Sequence, residues 1–140
     1  MLDRKNGPFQ ALLIVVALAA CTTDRSIYEA NRGAFPADYK QRVKAAIESR
    51  WPGPRNFRVV AISTPNDGYL LRQGTFHAVF GAWIGCVQLE GDKKKGAEFD
   101  ALYAPYAIGT GGTEVVLRDE RQCHHAPFAP WPDMLEGPDV

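Results

Sequence analysis

Pro36-Ala37-Asp38-Tyr39-Lys40-Gln41-Arg42-Val43-Lys44-Ala45-Ala46-Ile47-Glu48-Ser49-Arg50-Trp51-Pro52-Gly53-Pro54 is the stretch on which the fold turns. Tyr39, Val43, Ala46, Ile47 and Trp51 recur at helical spacing, while Lys40, Arg42, Lys44 and Glu48 take the opposite side. Pro36 and Asp38 suit a first turn. Proline arrives with its φ preset, and a carboxylate complements the unpaired N–H groups there, as a cap or through the dipole. Pro52-Gly53-Pro54 then stops the helix. An apolar stripe of this kind reads as core rather than as a ligand site.

Downstream the period changes. Phe57 to Ser63 is rich in branched side chains and reads as a strand. Thr64-Pro65-Asn66-Asp67-Gly68 reads as a turn, and Tyr69 to Arg72 as a short strand or an extended connection. A longer strand is expected over Ala82 to Leu89, where Gly81 and Gly85 hint at a bulge. Glu90 to Gly96 forms a hairpin loop. Phe99 to Ile108 resumes the strand pattern, and Pro105 within it points to an edge or a bulge. Ile108 to Thr113 turns, and Glu114 to Leu117 is the last strand. Beyond Cys123, prolines at 127, 130, 132 and 138 argue against regular structure, with Phe128 and Trp131 folding back as packed anchors. A parallel pair of strands needs a long crossover, usually helical, and none is present. The expected class is α+β: one helix on an antiparallel meander of about four strands, followed by an irregular tail. A single domain spans 36–136, with a disordered end at 137–140.

Upstream, Arg4 and Lys5 precede the apolar run Phe9 to Leu18, and the small residues Ala19 and Ala20 lead to Cys21. This is the layout of an export leader over 1–20. The apolar run is shorter than the ~20 residues a membrane-spanning helix needs. Leu18-Ala19-Ala20-Cys21 resembles the lipobox of bacterial lipoproteins. The resemblance implies that the Cys21 thiol receives a diacylglycerol and that the chain is then cut before it. Two or three acyl chains, at ~0.8 kcal/mol per buried CH₂, would hold the domain at a membrane almost permanently. Thr22, rather than Asp, follows the cysteine. By resemblance to sorting in enterobacteria, that favours the outer membrane over the inner, facing the periplasm. Residues 21–35 are polar and aperiodic and read as a tether.

Export places the domain where disulfides persist. With Cys21 lipidated, Cys86 and Cys123 are left, and they allow one intramolecular bridge, which would pin the tail to the sheet. Lys+Arg and Asp+Glu number 16 each, and the leader removes two bases and one acid, so the mature charge is near −1. No field of that size draws the domain to nucleic acid.

No catalytic constellation stands out. Cys123-His124-His125 offers zinc- or copper-type ligands, but adjacent side chains in an extended chain point to opposite sides, and Cys86 has its use in the bridge. A Cys123 nucleophile beside a histidine base would require a free thiol. Gly109-Thr110-Gly111-Gly112 lacks the following helix that phosphate loops need, and Lys93-Lys94-Lys95 reads as a solvated loop tip. No residue pattern calls for a metal or a cofactor. His77, His124 and His125 remain the side chains to place in a ligand cleft, if one exists.

Three stretches resemble a group of small alphaproteobacterial lipoproteins and secreted proteins that carry no assigned activity. These are Arg50 to Pro65, Ile84-Gly85-Cys86-Val87, and Gln122-Cys123 through Pro130-Trp131-Pro132-Asp133-Met134-Leu135-Glu136. Asp92-Lys93-Lys94-Lys95-Gly96 departs from the glycine-containing segment usual in that group. The resemblance implies the fold and an envelope address, and carries no activity over. The expected role is a non-enzymatic accessory or interaction domain held at a membrane, meeting an envelope protein or polymer. A small-ligand or metal binder, or an enzyme with an unfamiliar site, is the alternative.

Overall fold

The computed structural model describes residues 31–71 and 79–134. Among the described residues the helix α1 (Tyr39–Arg50) precedes β1 (Phe57–Ser63), β2 (Asn66–Leu71), β3 (Val79–Gly91), β4 (Ala101–Gly109), β5 (Gly112–Val115) and β6 (Phe128–Pro130). The strands form one antiparallel sheet in the order β5-β4-β3-β1-β6, with β2 paired to β3 as well.

The helix starts and stops close to where the sequence places it. Asp38 does not cap a backbone N–H; its carboxylate takes the Arg42 guanidinium at 3.0 and 3.1 Å, one turn on. Val43 and Ile47 are fully buried. They pack with Phe57, Val59, Ile62, Val87, Leu89, Ala104, Tyr106, Ile108 and Val115 on the helix side of the sheet. Each such aliphatic side chain contributes roughly 1.5–3 kcal/mol by leaving water.

Among the described residues the sheet has six strands, not about four. Two segments account for the difference. Thr64 to Gly68 is not a turn: β1 and β2 run along the same edge of β3, as Ile62 pairs with Val87 and Asn66 with Ile84. Three residues, Ser63 to Pro65, therefore oppose two, Gly85 and Cys86, so the Pro-Asn-Asp-Gly signal makes a bulge. Pro65 is tolerated because a bulged residue owes no ladder hydrogen bond. The second segment is the tail, where Phe128 to Pro130 pairs with Ser63 to Ala61 as an edge strand. Prolines are admissible on an edge, where an absent N–H costs nothing.

Pro105 meets the expectation of an edge only locally: β4 is an inner strand, but Pro105 lies one residue past its last pair with β5, Tyr106↔Val115. Its carbonyl accepts from the Val116 N–H at 3.1 Å, on the β5 side. The missing N–H faces the same side, where the Val116 carbonyl instead accepts from Arg118 N at 2.8 Å. The proline thus marks where β5 stops.

Gly85 does not itself bulge; the irregularities lie in the facing strand, at Val59–Ala61 and at Ser63–Pro65. Its missing side chain has another use. A Cβ on Gly85 would run into the Tyr106 phenol, which crosses that position and donates to the Ser63 carbonyl at 2.7 Å. The Ser63 hydroxyl in turn accepts from Cys86 N at 2.9 Å. Burial, with Tyr39 adding to it, pushes the phenol's pKa above its ordinary value and keeps it a donor. Gly85→Ala is expected to cost ~1–3 kcal/mol by overpacking. Tyr106→Phe should cost a similar ~1–3 kcal/mol through the orphaned carbonyl. Chemical denaturation of both single variants and the double variant checks the coupling: if the pair shares one contact, the two losses are not additive.

Candidate functional site

On the side of the sheet away from α1, the Cys86–Cys123 bridge closes over β3, with Cα atoms 5.6 Å apart. Cys86 comes from β3, and Cys123 from a 3-10 turn spanning Arg121–His125. Both are buried. The bridge was expected from the sequence, and it pins the tail where β6 begins. It also removes Cys123 as a nucleophile, since neither sulfur is a free thiol.

Beside the bridge lies a shallow cleft of about 190 Å³, lined by Ser63, Asn66, Ile84, Pro105, Gln122 and Pro127 among others. Ligand pockets more commonly enclose about 300–1,000 Å³. Ser63 is 3% exposed, and its hydroxyl already accepts from Cys86 N.

Next to the turn is a cluster the sequence reading missed. Beyond the end of β5, the free edge of β4 at Tyr103 is met by the chain after Arg118. Asp119 Oδ1 accepts from Tyr103 N at 3.0 Å, and Glu120 N donates to the Tyr103 carbonyl at 2.9 Å. The other Asp119 oxygen lies 2.8 Å from His124 Nε2. The His124 ring lies tilted against Tyr103 with centroids 4.7 Å apart, and Tyr103 meets Phe128 at 5.7 Å. A carboxylate and a backbone amide stand in for a missing strand, which blunts an open sheet edge. The available signal was an acid five residues before His124, a spacing no helix or strand rule marks.

The Tyr103 amide, then the His124 ring, hold the Asp119 carboxyl below its usual carboxylate range. A depressed acid adds stability that is present above its unfolded pKa and lost as pH falls through the folded value. Asp119→Asn is therefore expected to flatten the acid limb of the stability–pH curve. Carboxyl NMR of the parent should show a low titration midpoint that rises in His124→Ala.

His124 and His125 are both exposed. Among the described residues no three His, Cys, Asp or Glu side chains converge as a metal-ligand set. Cys21 and His77 lie outside the described residues. Gly109 to Gly112 closes the β4–β5 hairpin and leads into a strand. Lys93–Lys95 forms a 3-10 turn whose Lys94 N–H is capped by Asp92 at 3.1 Å, with Lys93 paired to Asp100 at 3.1 Å.

The chain matches no protein-family model, no curated protein and no solved structure. Among the described residues no helix is long and apolar enough to cross a membrane.

Proposed function

We propose that this chain is an exported lipoprotein, anchored to the cell envelope through acylated Cys21, whose domain works by contact rather than by catalysis. The observation that carries the reading is the Cys86–Cys123 bridge. A bridge in a small domain belongs to an oxidising compartment, and the residues before Cys21 carry the signal that would deliver the chain there. The shallow cleft, and a histidine–aspartate pair engaged in closing a sheet edge, support an interaction domain over an enzyme. The partner is an envelope protein or polymer, and the outer membrane is the favoured anchor site.

Metabolic labelling with palmitate tests the anchor. Labelled protein is expected in the membrane fraction, and Cys21→Ala should abolish both the label and the membrane association. An unlabelled protein, soluble in the wild type, would contradict the proposal.

A further inference from the structure

One end of the sheet carries a cationic rim. There β4 pairs Ala101 with Glu90, and β1 pairs Phe57 with Gly91. Helix α1 runs out at the same end, where Trp51 stands edge-on to Phe57 at 5.7 Å and Phe57 meets Phe99 at 6.5 Å. The Lys93–Lys95 turn joins this row, because Asp92 N donates to the Asn56 carbonyl at 2.8 Å.

Two guanidiniums lie over the aromatic row, Arg50 at 5.5 Å from Trp51 and Arg55 at 5.9 Å from Phe57. Neither pairs with a carboxylate among the described residues, and neither Lys94 nor Lys95 does. The neighbouring bases are answered: Arg58 by Glu90, Lys93 by Asp100 and Lys44 by Glu48. Asp92 is engaged in capping Lys94 N, and Glu98 is the remaining acid. This end therefore holds seven bases against five acids, although the mature chain as a whole is near −1. A guanidinium held over a ring keeps its N–H edge free to fork onto an oxyanion, and gives up less freedom in doing so.

The make-up of this end selects its partner. A protein interface has a desolvated apolar centre from which charge is depleted, and seating in lipid needs exposed apolar side chains. The exposed large hydrophobics among the described residues are Phe35 and Val116, and both lie elsewhere. Phe35 stands against Trp83 at the opposite end of the sheet, and Val116 bonds to Pro105 in the middle of β4. Separated cations on an open surface suit anions repeated along a flexible chain. We propose, resting on the envelope reading above, that Arg50, Arg55, Lys94 and Lys95 bind a polyanionic envelope polymer with repeating phosphate or carboxylate groups.

Calorimetric titration of the native acylated protein, held in neutral detergent micelles, tests this with inorganic polyphosphate, polygalacturonate and uncharged dextran as probes. At least one polyanion is expected to bind and dextran not to, and the polyanion that binds more tightly names the anion. Affinity should fall steeply as salt rises from about 50 to about 200 mM. The double variants Arg50→Gln/Arg55→Gln and Lys94→Gln/Lys95→Gln should each bind roughly tenfold more weakly. The lysine pair sits exposed on its turn, so its loss leaves the fold intact. Lys40→Gln, at the other end of α1, should bind as the parent does. No binding of either polyanion, an unchanged affinity in either double variant, or an equal loss in Lys40→Gln overturns the inference and leaves the anchor standing. Polyanion binding through these residues by a native chain that takes no palmitate label overturns the envelope reading alone.

Discussion

Trp131→Ala is expected to lower the unfolding free energy by about 3–5 kcal/mol, the midpoint falling on the order of 10–20 °C. Trp131 is 2% exposed and belongs to the core cluster, although it stands in a proline-rich tail. Its backbone N–H donates to the Val60 carbonyl at 3.0 Å, where β1 shifts register, and its own carbonyl accepts from Met134 N at 3.2 Å. Met134 is buried beside it. Removing the indole leaves a void that β6 on one side and the Pro132–Met134 turn on the other can close only in part. Hydrogen exchange should show the Trp131 amide losing protection first. A stability within about 1 kcal/mol of the parent would contradict the packed tail.

Loss of the bridge should be of comparable size. Cys86 and Cys123 are 37 residues apart, and closing a loop of that length removes roughly 4 kcal/mol of unfolded-state entropy on the chain model. Replacing both cysteines with alanine measures that contribution without leaving a buried thiol. The tail after Glu120 should become protease-sensitive before the core of β3 and β4 does, because Asp119 and Glu120 hold the chain up to that point through Tyr103. Were the double variant as stable as the parent, the staple would have no structural role.

The two variants separate what sequence could and could not reveal. The helix was legible because Tyr39, Val43, Ala46 and Ile47 express a period that only a helix satisfies, and the bridge because two sulfurs were left for one bond. Trp131 was legible as an anchor, being too apolar to leave in water. The Ser63–Pro65 bulge was not. Proline, asparagine, aspartate and glycine favour a turn locally, and only pairing with distant Ile84 and Val87 keeps the chain extended. β6 was hidden for the same reason, since its partners lie some 65 residues earlier in β1. Pro105 was legible as an edge residue, but that the edge opens only where β5 ends was not. The Asp119–His124–Tyr103 cluster was invisible, because it exists to finish an edge that the sequence does not announce.

The account depends above all on export and acylation. Intact-protein mass spectrometry of the native molecule, with and without reductant, measures both at once. The expected species begins at Cys21, carries the mass of its acyl groups, and gains two hydrogens on reduction. A chain beginning at Met1, unacylated and unchanged in mass by reductant, would contradict it.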